Sequence, residues 1–258
     1  PPRSTLFPYT TLFRSSGFAE TRAGDYLHDH SSQQSESLLE ARLQMAADIP
    51  FSVDLGNAAP LQGNAALTLD LLGDAVADEQ DIRLNRGQGW IDLREAWVSL
   101  RASDHADIKL GRQILTWGTG DLLFINDLFP KDWNSFILGR DDEYLKAPSD
   151  AVKIALFGDL ANLDIVYTPQ FDSDRFIDGS RVSYYNAQAD DIVGSAGLVE
   201  ATIPATGGHD DEVALRLHRV FGAREVALYA YQGYWKSPAG VDPASGRAAV
   251  PPRCRAGR

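Results

Sequence analysis

A strand-length alternation of apolar and charged residues recurs along most of the chain, and it constrains the fold more than any other feature. In Leu39–Asp48, Leu39, Ala41, Leu43, Met45 and Ala47 fall on one side, and Glu40, Arg42, Gln44 and Asp48 on the other. Period two is the signature of a β-strand with one apolar and one polar face. Ala65–Asp74 repeats it, with Leu67, Leu69 and Leu71 set against Thr68 and Asp70. So do Asp107–Gln113, Ala151–Phe157, Ala161–Thr168 and Glu212–Arg219; Arg224–Trp235 is a further strand rich in Tyr, and Phe18–Tyr26 a weaker first one. Asp92–Arg101 also reads as a strand, but its alternation slips near Arg94–Glu95, which predicts a bulge.

About nine strands follow, and the expected fold is all-β. Short turns rich in Gly, Asp and Ser (Ala102–His105, Gly158–Leu160) alternate with long polar connections (His28–Ser37, Gly73–Gly89, Asp172–Gly208). Neighbouring strands joined in this way make an antiparallel up-and-down meander. The polar sides carry full charges. A soluble β-sandwich would turn them to bulk water; a transmembrane barrel would turn them to an aqueous lumen and its apolar side to lipid. Periodicity alone does not separate the two. The small to medium apolar residues (Leu, Ala, Val, Ile) and the meander favour the barrel, because lipid demands no interlocking of shapes, and an odd count of about nine strands makes the expected fold a partial barrel.

Composition removes other classes. The 258 residues hold 24 Lys+Arg against 36 Asp+Glu, a net charge of −12, which suits no nucleic-acid binder. One Cys, Cys254, excludes an internal disulfide and a Cys-based zinc site. No apolar run approaches the ~18 residues of a membrane-spanning helix. The chain contains no G-x-S-x-G, H-E-x-x-H or P-loop, and we expect neither catalysis nor a cofactor. His28-Asp29-His30 is a weak metal pattern. Asp172, Asp174 and Asp178-Gly179 miss the spacing of a calcium loop, and the most economical reading of both is solvated loop. Tyr229, Tyr231, Tyr234 and Trp235 cluster at one strand end, as in an interfacial aromatic girdle.

The two ends look foreign to this pattern. Residues 1–16 lack acids and repeat Thr-Leu-Phe at 5–7 and 11–13, as translated adapter sequence does; residues 247–258 are basic and aperiodic. Six of the 24 basic residues (Arg3, Arg14, Arg247, Arg253, Arg255, Arg258) lie there, so the body, 17–246, is more acidic than the whole.

The most specific text is central. Leu110-Gly111-Arg112-Gln113 followed by Trp117-Gly118 resembles the G-R-Q…W-G strand of porin-like bacterial outer-membrane β-barrels, among them alginate-export and phosphate-selective porin types. The resemblance spans roughly Phe18 to Trp235 and is most specific over Gly111–Lys153. It implies the outer membrane of a Gram-negative bacterium, contact with outer-membrane lipid and lipopolysaccharide, and an aqueous pore for small hydrophilic solutes. A homo-oligomer is compatible with it; the solute is left open.

Gly111 inside a strand marks a bulge or the close approach of another backbone. Some 30 residues then precede the next clear strand, and they carry Phe124, Ile125, Leu128, Phe129, Trp133, Phe136, Ile137 and Leu138. Such a connection packs on something. We expect 118–150 to fold inward as a constriction; a helical cap at one rim is the alternative. The expected pore-lining residues are Lys109, Arg112, Gln113, Asp121, Asp127, Lys131, Asp132, Arg140, Asp141, Asp142, Glu143 and Lys146. From Gly118 to Asp150 seven acids face three bases, so a mild cation preference is expected, unless Asp141–Glu143 only solvate a loop tip. Two rival functions remain at this stage: a soluble carbohydrate-binding or carbohydrate-cleaving β protein, and a structural outer-membrane barrel that does not conduct.

Overall fold

A computed structural model describes residues 13–27, 36–56, 59–76, 81–118, 124–186, 190–194, 197–202, 210–241, 248–249 and 254–257. The elements in chain order are β1 (Arg14–Asp25), β2 (Glu36–Val53), β3 (Leu61–Asp74), β4 (Ile91–Ser103), β5 (Ala106–Ile114), α1 (Trp133–Ile137), a 3₁₀ turn (Asp142–Leu145), β6 (Pro148–Leu156) and β7 (Asn162–Thr168). There follow β8 (Tyr184–Asn186), β9 (Asp191–Val193), β10 (Ala201–Thr202), β11 (Glu212–Phe221), β12 (Arg224–Gly233), β13 (Gly240–Val241), β14 (Ala248–Ala249) and β15 (Cys254–Gly257). The protein is all-β, and one large antiparallel sheet, ordered β1-β2-β3-β4-β5-β6-β7-β11-β12-β15, holds every long strand.

Each of the nine segments with period-two alternation is a strand of this sheet. The outer bounds differ from the sequence reading. β1 begins at Arg14, which pairs with Asp48, so residues 14–16 of the foreign-looking end continue the ladder. Residues 254–257 of the other end form β15 on β12. Among the described residues no strand pairs with β1 on its far side, and the sheet is open there.

The slip in β4 is a bulge. Thr68 pairs with Glu95 but Leu69 with Leu93, so Arg94 is the extra residue, and Asp92, Arg94 and Glu95 can share one face. Gly111 has φ +114, and a Cβ there would lie 2.3 Å from the Ala96 carbonyl oxygen; only glycine allows β4 and β5 to approach so closely.

Because adjacent strands are antiparallel, their connections alternate between the two ends of the sheet. At one end the links are 54–60, 104–105, 157–161 and 222–223. At the other they are 26–35, 75–90, 115–147 and 169–211. All the short turns lie together, and so do all the long connections.

The two faces are inverted relative to a soluble sheet. Leu43, Met45, Leu67, Val98, Leu110, Leu217 and Leu228 are exposed, while Glu40, Arg42, Asp70, Asp92, Arg94, Asp164 and Glu212 are buried. The hydrophobic effect in water drives the opposite arrangement. The covered face also holds the one apolar cluster among the described residues: Leu115, Trp117, Phe129, Ala151, Val166 and Ala214, with Tyr229 and Tyr231 packed against it. Two of the expected girdle residues are therefore placed differently. Tyr229 lies 6.1 Å from the Trp117 ring and Tyr231 donates to Glu212, both on the covered face, whereas Trp235 is exposed. The cause is parity: Tyr229 and Tyr231 pair with Arg216 and Ala214, whose side is covered.

Candidate functional site

The covered face of β1–β4 is a field of charges, and register builds it. Glu20 lies opposite Arg42 and Arg22 opposite Glu40 across β1 and β2. Asp70 lies opposite Asp92 across β3 and β4, an unfavourable contact of like charges. Each of these carboxylates takes its own guanidinium. Arg42 donates to Asp70 at 2.7 Å, and Arg175, from the connection after β7, grips both oxygens of Asp92 at 2.7 and 2.8 Å. Arg175 also donates to Asp132 at 3.2 Å. Burial works against its charge, but Asp92 and then Asp132 outweigh that and raise its affinity for the proton. Gly87 makes room: with φ +60, a Cβ there would fall 2.2 Å from the Arg175 guanidinium carbon.

The connection after β5 folds onto this field. Asp132 caps α1, accepting from the Ser135 amide at 2.8 Å. Gly139, at φ +61, ends the turn, and Arg22 donates to the last carbonyls, Leu138 at 2.9 Å and Gly139 at 2.8 Å, where a cation is favoured. Arg140 pairs with Glu40. Tyr144 then enters the charged face. Its ring packs under Arg42 at 4.1 Å and Arg94 at 4.7 Å, and its hydroxyl accepts from Gln44 at 2.7 Å. Burial raises the Tyr144 pKa. Arg94 closes the fold-back by donating to the carbonyls of Glu143 (2.6 Å) and Lys146 (3.2 Å). Lys131 pairs with Asp127 at 3.1 Å, and its burial lowers the ammonium pKa despite that partner.

These contacts place most of the residues singled out in the sequence. Lys131, Asp132, Arg140, Glu143 and Lys146 lie in the segment that covers the face, and Asp127 is tied to Lys131. Lys109 sits 3.7 Å over the Trp97 ring, and Gln113, buried, donates to the Gly111 and Ala151 carbonyls. Arg112 falls by alternation on the opposite side from Lys109 and Gln113, and holds both oxygens of Asp150 at 2.9 Å. Asp141 and Asp142, where the 3₁₀ turn begins, are exposed. Asp121, like His28, Asp29 and His30, lies outside the described residues. Of the segment's acids, Asp127, Asp132 and Asp150 have cationic partners in Lys131, Arg175 and Arg112.

The residues that sequence reasoning did not single out are Glu40, Asp70, Asp92, Arg94, Tyr144 and Arg175. The first four carried a signal, since each lies on the polar side of an alternating strand. Tyr144 and Arg175 lie in irregular connections, and no local pattern marks them. Asp174 and Asp178 of the calcium-like stretch are spent on internal bonds, to Lys131, Trp133 and Arg86. Among the described residues no group of His, Cys, Asp and Glu is placed to hold a metal ion. Asp172 is buried beside Asp150; that burial raises its pKa to about 6.

This arrangement fixes a folded segment against a charged surface through ion pairs and hydrogen bonds. No family model matches the chain, and no curated protein and no solved structure matches it.

Proposed function

We propose that the chain is a porin-like outer-membrane β-barrel channel for the passive passage of small hydrophilic solutes. One observation carries this reading: the sheet is inside-out, with Leu43, Leu67, Val98 and Leu217 exposed and Glu40, Arg42, Asp70 and Arg94 buried. A bilayer rewards that inversion, and water penalises it. The grouping of short turns at one end and long connections at the other supports the same reading, with the long connections outward. The segment 124–147 lies across the charged face as a constriction, pinned by Arg22, Gln44 and Arg94. Seven acids against three bases in 118–150, with Asp141, Asp142 and Glu143 exposed, support a mild preference of the passage for cations.

The experiment is conductance of the refolded full chain in planar bilayers, with a salt gradient across the membrane. Stepwise channels whose reversal potential favours the cation are expected. A chain that inserts and shifts its gel mobility on heating but never conducts is a structural barrel. A chain that stays in solution without detergent overturns the membrane reading itself.

A further inference from the structure

A narrow polar cleft of about 40 Å³ lies at the long-connection end, where the connections after β3, β5 and β7 meet. Arg86 and Gln88 come from the first, Asn134 and Arg140 from the second, and Ser180 and Arg181 from the third. The side chains of Arg140 and Arg181 are each 9% exposed, and they converge on Glu40: Arg140 pairs with it, and Arg181 Nη2 lies 3.8 Å from the same carboxylate oxygen. Their other bonds leave one N–H edge of each group idle. Arg140 donates through Nη1 to the Ser135 hydroxyl at 3.1 Å; Arg181 donates through Nη1 to the Ser37 carbonyl at 3.1 Å and through Nε to Asp74. Arg140 Nε and Arg181 Nη2 are buried without a hydrogen-bond acceptor. Asn134 Oδ1 is a buried acceptor without a donor, while the Nδ2 of the same amide is spent on the Arg175 and Phe176 carbonyls. Buried polar atoms left in this way cost free energy and call for a partner that the described residues do not supply.

Water could take these bonds, but the charge of the cleft asks for more. Among the described residues Arg86 pairs with one carboxylate, Asp178 at 2.8 Å. Burial, with repulsion from Arg83 and Arg175, lowers the Arg86 pKa against that partner. One wall is thus a guanidinium whose charge is incompletely offset, and beside it stand two N–H groups with nothing to donate to. Planar guanidinium groups match the oxygens of a small oxyanion. A space of about 40 Å³ admits about three water-sized groups, which is the size of one trigonal oxyanion. Asn134 Oδ1 requires in addition a donor on the guest. We infer that the cleft binds one small monovalent oxyanion that keeps a hydroxyl group, of the size of hydrogencarbonate. Its negative oxygens accept from Arg140 Nε and Arg181 Nη2, and its hydroxyl donates to Asn134 Oδ1. The anion ties the segment that covers the charged face to the connections after β3 and β7. The site goes beyond the channel reading, because three connections build it and it needs no closed lumen.

The test uses the full chain in phospholipid nanodiscs at mildly alkaline pH, with carbon-13 hydrogencarbonate as the probe, read by carbon NMR against empty discs at constant ionic strength. Leu72 of β3 is the apolar residue of the cleft wall. Leu72→Asp sets a fixed carboxylate beside the arginines, and Leu72→Asn sets a neutral group of the same size, so the pair separates charge from any cost to the fold. Saturable binding is expected for the parent chain and for Leu72→Asn, and roughly tenfold weaker binding for Leu72→Asp, since like charges brought together repel. Nitrate is trigonal and monovalent but has no hydroxyl, and it should displace the probe only at about tenfold higher concentration. A parent chain without saturable binding holds only water in the cleft and overturns the site. Loss from both variants, or full retention by both, overturns the placement of the anion beside Leu72. Nitrate that competes at equal concentration overturns the bond to Asn134. Conductance is not part of the readout, so failure here is distinct from failure of the channel reading.

Discussion

Leu67 lies at the middle of β3 with its side chain on the apolar face; it is 49% exposed and flanked across the ladder by Ala47 and Ala96. If that face meets hydrocarbon, Leu67→Arg places a guanidinium near the bilayer midplane. The cost there is about 2–4 kcal/mol, falling to about 0–1 kcal/mol near the interfaces. Leu61, at the short-turn end of the same strand and on the same face, supplies the comparison. In water the expectation is different, because a half-exposed Leu replaced by Arg on an open surface stays within about 0.5 kcal/mol at either position. The assay is urea unfolding of the chain refolded into vesicles, followed by fluorescence and by heat-dependent gel mobility. The expected result is a loss at position 67 that exceeds the loss at 61 by about 2 kcal/mol. Two small and equal losses would refute the assignment of this face to lipid.

Three further outcomes follow from the covered face and its surroundings. Arg175→Met leaves Asp92 and Asp132 buried without their shared cation and should cost about 3–5 kcal/mol in the same unfolding assay; Arg175→Lys should not restore it, because an ammonium cannot grip both Asp92 oxygens, and full restoration would contradict the geometry. Gly111→Ala forces a Cβ to within 2.3 Å of the Ala96 oxygen at φ +114 and should destabilise by about 1–3 kcal/mol; a neutral result would mean that β4 and β5 do not approach as described. Asp172 keeps its proton in the folded state up to about pH 6 rather than the usual 3.8, so the fold binds more protons than the unfolded chain between those values and stability falls as pH rises through that window, by on the order of 3 kcal/mol; Asp172→Asn should flatten the dependence, and an unchanged pH profile would show that burial does not set it.

The strands were legible because a two-residue period survives in each of them, and the bulge at Arg94 was legible because that period breaks there. The ends were not. Arg14–Ser16 have no alternation to read, yet the Asp48–Ala46 edge of β2 supplies hydrogen-bond partners that give them strand form. The orientation of Tyr229 and Tyr231 was missed for a related reason: an aromatic at a strand end fits a girdle or a covered cluster equally well, and only the pairing with Arg216 and Ala214 decides. The charged residues of the central segment were found by composition, but their partners were not. Asp132 meets Arg175 and Arg140 meets Glu40 across long separations in sequence, and such contacts leave no local period. The net acidity of the segment therefore overstated the charge it presents, since Asp127, Asp132 and Asp150 are each matched to a cation.

The inversion of the sheet is tested most directly by scanning spin labels along β3. Single cysteines at positions 67 to 71, in a Cys254→Ser background and in vesicles, carry a nitroxide whose relaxation is read against oxygen, which concentrates in lipid, and against a water-soluble nickel complex. Labels at Leu67, Leu69 and Leu71 should respond to oxygen, and labels at Thr68 and Asp70 should be shielded from it. Uniform access of the nickel complex to Leu67, Leu69 and Leu71 would place the apolar face in water and contradict the account.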